Sequence, residues 1–151
     1  MVSEADYKPG LEDVPAAKSA ISFLDGKKAR LEYRGIPVEV LAKESNFEEV
    51  CWLLIKGELP TQKQLADFDD ELRQRRAIHF RLKEMIRCLP ADGHPMDALH
   101  STVAALGMFY PCPNVQDPAR NWDATCRLIA ALPTLVAAYA RTRRCQEILE
   151  P

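Results

Sequence analysis

Residues 88–107, CLPADGHPMDALHSTVAALG, gather the side chains best suited to chemistry in this chain. They include a thiol at Cys88, imidazoles at His94 and His100, and carboxylates at Asp92 and Asp97. Such groups can ligate a metal, carry a proton or attack an electrophile. His94 and His100 stand six positions apart, the wrong interval for two ligands on one helical face, so no metal site is expected. The pattern starts a helix instead. Ala91-Asp92-Gly93 reads as a turn and His94 falls where an N-cap belongs. Pro95 takes the first helical position, where its missing N–H costs nothing. Asp97 complements the helix dipole, and Met96, Leu99, Val103, Leu106 and Phe109 or Tyr110 recur at helical spacing. The third histidine, His79, has no motif around it.

Two further sets invite a chemical reading. The acidic run DFDDE, residues 67–71, lacks the glycine and distal glutamate of a calcium loop, and Arg73 stands where a further carboxylate would be needed. A solvated helix face is the better reading. Arg141, Arg143 and Arg144 fall near the end of the last helix, where cations meet its C-terminal dipole; the sharper alternative is a phosphate-binding cluster. Taken alone, the pattern favours the first. The five cysteines form no C-x-x-C pair and read as reduced, mostly buried thiols rather than a disulfide framework or zinc site. There is no Gly-rich phosphate loop, no G-x-S-x-G elbow and no H-E-x-x-H.

The elements that carry these residues are mainly helical. Residues 19–25 and 30–34 read as two short strands, with Asp25-Gly26 as the hairpin signal, after an N-terminal segment 1–18. The remainder, 36–151, reads as helices. Ser45 with Glu48 suggests a capping box before FEEVCWLLIKGEL, whose apolar run VCWLLI predicts a buried helix ended by Gly57. Thr61 with Gln64 suggests a second box. It opens a helix with Leu65, Phe68 and Leu72 on one stripe, and with Asp69–Arg73 and Glu71–Arg75 as surface pairs. A helix stopped by Pro90 follows, then the His94 helix at about 95–110. The last helix, 118–144, is alanine-rich, and Pro133 is expected to kink it. Small side chains on the last two helices suit close helix–helix contact.

Composition limits the function classes. The chain of 151 residues is 47% hydrophobic and 28% charged, as a folded protein is, and its net charge of −2 gives no general attraction to nucleic acid or anionic membrane. No apolar run is long enough to span a bilayer, and MVSEADYKPG lacks the basic region and apolar core of a signal peptide. A cytoplasmic setting is the expectation.

The order of the pieces carries more. YRG (Tyr33–Gly35), F-E-E-V…L-L-x-x-G-E-L-P (Phe47–Pro60), HPM (His94–Met96) and LPT (Leu132–Thr134) follow one another over residues 10–146. This series closely resembles the N-terminal part of citrate synthase. The resemblance implies a mainly α, multi-helical citrate synthase fold, in which 36–151 is helical large-domain structure stopping before the catalytic region. It also implies condensation of acetyl-CoA with oxaloacetate and water to citrate and CoA, the acyl-CoA being a substrate and no cofactor being needed. Two relations of the family are alternatives: a 2-methylcitrate synthase using propionyl-CoA, and a non-catalytic assembly module. In the family the catalytic aspartate, the two histidines and the substrate-binding arginines lie beyond the LPT helix. No catalytic residue is therefore expected in this chain, which should be inactive alone. One site residue carries over: the arginine eight positions after the proline of LP, Arg141, as a CoA contact. The helices at 95–110 and 118–144 belong to the family's subunit interface, which implies a homodimer and sometimes a hexamer.

Overall fold

The computed structural model describes Gly10, Val14 and residues 17–151; most of the expected N-terminal segment 1–18 lies outside the described residues. Two compact units follow one another along the chain, Met1–Leu65 and Ala66–Pro151.

In the first unit, β1 (Ser22–Asp25) and β2 (Arg30–Tyr33) form the expected antiparallel hairpin, with Ser22 opposite Tyr33 and Asp25 opposite Arg30. Asp25 organises the connecting turn: its Oδ1 accepts the backbone N–H of Lys27 (3.1 Å) and Lys28 (3.2 Å). A third strand, β3 (Ile36–Pro37), pairs with the other side of β2 and was not expected. Arg34 and Gly35 make this second turn, both at positive φ (51° and 83°), the geometry whose twist suits antiparallel strands. A side chain is costly at Arg34, and its guanidinium offsets that cost by donating to the backbone oxygens of Ala20 (3.3 Å) and Leu54 (2.8 Å).

Helix α1 (Val38–Glu44) leads to α2 (Phe47–Lys56). The capping box lies one residue later than the Ser45–Glu48 pair. The Asn46 side chain accepts the Glu49 N–H (2.8 Å), and the Glu49 carboxylate accepts the Asn46 N–H (2.9 Å). Ser45 is already engaged as the C-cap of α1, its N–H bonded to Leu41 O, so the next residue starts α2. Helix α2 is also less buried than its apolar run suggests. Leu53 is 1% exposed, but Phe47 and Ile55 are 62% and 38% exposed. Among the described residues of this unit, one small sheet, α1 and the start of the helix that follows offer too little surface to cover every side of α2.

Gly57 ends α2 as expected, at φ 94° with its N–H on Leu53 O (2.8 Å). Only glycine adopts that conformation without strain. Gly57→Ala is expected to cost about 1–2 kcal/mol, read as a lower urea midpoint with unchanged m.

Helix α3 (Gln62–Arg75) starts with the expected second box: the Thr61 N–H donates to Gln64 Oε1 (2.8 Å), and the Gln64 N–H to Thr61 Oγ1 (3.3 Å). The second unit then comprises the rest of α3 with α4 (Phe80–Arg87), α5 (Pro95–Phe109) and α6 (Pro118–Thr142). Its core joins Ile78, Leu82 and Ile86 to Ala98, Ala105 and Leu106 of α5 and to Ala131, Leu135 and Tyr139 of α6. Ile148 of the terminal segment completes it, and Lys83 on α4 pairs with Glu150 nearby.

The buried line of α5 differs from the predicted stripe. Ala98, Thr102, Ala105 and Leu106 are buried and Leu99 and Val103 half-buried, while Met96 is exposed. The physical reason is that α5 packs on both α4 and α6, so its small side chains face inward where axes approach closely. The Thr102 hydroxyl is satisfied there by Ala98 O at 2.8 Å. Helix α6 continues through Pro133. Among the described residues, no helix is long and apolar enough to cross a membrane.

Candidate functional site

The three imidazoles have separate structural settings. His79 starts α4, its Nδ1 accepting the Arg81 N–H (3.2 Å), and its ring stacks on Phe109 with centroids 4.5 Å apart. His94 starts α5 as the sequence predicts, its Nδ1 accepting the Met96 N–H (3.2 Å). His100 lies exposed on α5. Among the described residues, no group of three His, Cys, Asp or Glu side chains is placed to hold a metal ion.

The loop between α4 and α5 is held by α6. Tyr139 Oη lies 2.8 Å from Pro90 O and 3.1 Å from Gly93 O, and Arg143 Nε donates to Ala91 O (2.6 Å). Gly93 suits this closeness, since a Cβ there would stand 3.2 Å from the Tyr139 hydroxyl, which would have to give by a few tenths of an ångström. Beside the clamp, an apolar groove of about 210 Å³ lies between α5 and α6, lined by Pro95, Met96, Leu99, Leu135 and Val136 among others. Met96 and Val136 are 49% and 52% exposed along it. Such a face offers hydrophobic contact and little chemistry.

The arginines at the end of α6 divide their roles. Arg143 is spent on the loop clamp and on the Tyr139 ring (5.6 Å). Arg141 is half-buried and donates through Nε to Glu147 O, while its own carbonyl accepts the N–H of Arg144 and Gln146. A guanidinium has five donors, so that one bond leaves Arg141 capacity for an anion.

Sequence reasoning missed a polar network between α3 and α6. The expected Glu71–Arg75 surface pair does not form through its carboxylate. Arg75 instead reaches Asp123 through Nε (3.0 Å) and Nη2 (2.8 Å), and Glu71 Oε2 accepts Trp122 Nε1–H (2.9 Å) and lies 3.5 Å from Cys126 Sγ. The better-directed partners across the interface win over a weak neighbour on the same helix. The companion pair Asp69–Arg73 does form, at 2.6 Å. The Arg75 hydrogen bond holds the Asp123 carboxyl below its usual range. The only advance signal of this network was that both charges sat one turn apart on α3.

The cysteines correct the sequence reading. Only Cys126 is buried; Cys51 and Cys112 are intermediate, and Cys88 and Cys145 are exposed. Both exposed thiols cap or follow helix ends, where no core covers them. Burial, reinforced by Glu71, pushes the Cys126 thiol up to about 12, whereas burial and Glu48 raise Cys51. Near neutral pH, Cys88 and Cys145 should react rapidly with a disulfide reagent and Cys126 only upon unfolding, as peptide mapping would show.

The family described as citrate synthase, C-terminal domain, matches residues 10–151. The chain belongs to the citrate synthase family. The Synechocystis sp. citrate synthase is 46% identical over the whole of this chain, which covers 38% of that relative. Citrate synthase 1 of Mycobacterium tuberculosis is 43% identical over 89% of the chain and 31% of its own length. The solved citrate synthase of Pyrobaculum aerophilum superposes with a TM-score of 0.86 at 33% identity, covering all of this chain and 40% of that one. The chain thus spans about two-fifths or less of the citrate synthases it matches. The mainly helical citrate synthase fold accords with the resemblance carried by the YRG, HPM and LPT motifs.

Proposed function

We propose that these residues supply the scaffold and subunit-docking surface of a citrate synthase, whose whole protein condenses acetyl-CoA with oxaloacetate and water to citrate and CoA. The observation that carries the docking role is the α5–α6 face, where small side chains bring the helices together and an apolar groove stays open. A second copy of the same face would bury it in a homodimer, and larger assemblies such as a hexamer build on that pair.

The condensation needs a carboxylate to take a methyl proton, an imidazole to stabilise the developing enolate and another to polarise the ketone. His79 and His94 are committed as acceptors to backbone N–H groups, and His100 is exposed on α5. That supports assigning no catalytic residue to residues 1–151 and placing the bond-making groups elsewhere in the whole protein. Arg141 is our candidate CoA contact, with donor capacity left for a phosphate. The names of the matched relatives favour acetyl-CoA over the propionyl-CoA of a 2-methylcitrate synthase. The reading needs no cofactor and no metal. A cytoplasmic setting is in keeping with five unpaired cysteines.

The test is thiol release from acetyl-CoA and oxaloacetate. The 151-residue chain alone should release none, and the whole protein should turn over with a raised KM for acetyl-CoA in Arg141→Ala. Turnover by the chain alone would overturn the scaffold reading. Survival as a non-catalytic assembly module would show as an inactive whole protein that co-purifies with an active synthase.

A further inference from the structure

After α6 the chain turns back through a single residue. Cys145 stands at φ 53° with its N–H on Thr142 O (2.9 Å), and the next N–H, of Gln146, reaches Arg141 O (3.0 Å). Left-handed backbone just past a helix end is the usual place of glycine, and a side chain there is strained. The turn has a definite result. It lays residues 146–150 back against the second unit, where Ile148 joins the core of Ile78, Leu82 and Ile86 and Glu150 pairs with Lys83. Between the turn and Ile148, the Glu147 carbonyl accepts the Nε–H of Arg141. Arg141 is thus held at its backbone oxygen and at its side chain by two adjacent residues of one strap.

We infer that the strap 145–150 positions Arg141, setting its guanidinium in the orientation from which it meets a phosphate of CoA. The inference rests on reading Arg141 as a CoA contact. The bond to Glu147 O fixes the plane of the planar fork and leaves both Nη groups to donate. A long side chain that is free to turn loses that freedom when an anion binds, whereas one already fixed loses little. The strap singles out one arginine of the terminal cluster. Arg143 is drawn to the Ala91 carbonyl and the Tyr139 ring, and Arg144 is exposed. Two positioning residues follow from the geometry: Cys145 acts through its backbone turn, and Ile148 acts through its place in the core. The Lys83–Glu150 pair adds a second, more exposed anchor at the far end of the strap.

The experiment measures steady-state kinetics of the whole protein with acetyl-CoA and oxaloacetate. Two substitutions disturb the strap at different points: Ile148→Ala weakens its core anchor, and Cys145→Pro forbids the positive φ at an exposed position. Each is expected to raise the KM for acetyl-CoA about 3–10-fold with kcat and the KM for oxaloacetate unchanged, against about 10-fold or more for Arg141→Ala. Cys145→Gly, which keeps the turn, should match the wild type. Adding either strap substitution to Arg141→Ala should raise the KM no further, because the strap acts through that side chain; a merely structural role would multiply the two effects. Multiplied effects, or an unchanged KM in both strap variants, would overturn the positioning role and leave Arg141 as a contact. An unchanged KM in Arg141→Ala itself would instead remove the contact, and the positioning role with it.

Discussion

Leu82→Ala is expected to lower the unfolding free energy of the Ala66–Pro151 unit by about 2–5 kcal/mol. Leu82 has no exposed surface and belongs to the core that joins α4 to α5 and α6. Removing its branched end takes away transfer free energy and leaves a cavity that its neighbours cannot fill. The alanines of that core, Ala98, Ala105, Ala131 and Ala138, have no side chain able to swing into the space. Against a typical domain stability of about 5–15 kcal/mol, the loss is a large fraction of the whole. Urea unfolding followed by circular dichroism should show a lower midpoint with unchanged m. Leu128→Ala, at a position 40% exposed on α6, is the control and should cost under about 1 kcal/mol. Equal effects at the two positions would mean that α4, α5 and α6 do not share one core.

On the proposed docking role of the α5–α6 face, Val136→Glu combined with Met96→Glu should strongly weaken self-association while leaving the helices intact. Both side chains line the α5–α6 groove and both are about half exposed, so the isolated chain tolerates charge there. In a two-fold contact every substitution occurs twice, and like charges then face each other in a surface being stripped of water. The expected loss of association is about 100-fold or more, read by light scattering across a concentration series, with unchanged far-ultraviolet circular dichroism. A variant that keeps the wild-type mass at every concentration would remove the docking role from this face. Because the readout is assembly, the result is independent of whether thiol release is detected.

How far the residues alone lead differs from feature to feature. Gly57, the Thr61–Gln64 box and the His94-Pro95 start were legible because each depends on groups within about one helical turn. The family was legible for a related reason: short motifs kept in order over most of the chain report on one fold. Shifting the box from Ser45 to Asn46 already needed the end of α1, because Ser45 could not serve two helices.

Longer-range choices were closed to such reading. Glu71 and Arg75 satisfy the rule for a surface pair, yet each is claimed by α6 at Trp122, Asp123 and Cys126, some fifty positions away. The same holds for the inward turn of Ala98 and Thr102, and for Tyr139 and Arg143 reaching the Pro90–Gly93 loop. Local hydrogen bonding and backbone conformation are set by neighbours in the chain, so residue order specifies helix starts and stops. Which polar partner wins, and which face of a helix is enclosed, depends on surfaces that meet only when the helices pack. That choice belongs to the folded arrangement.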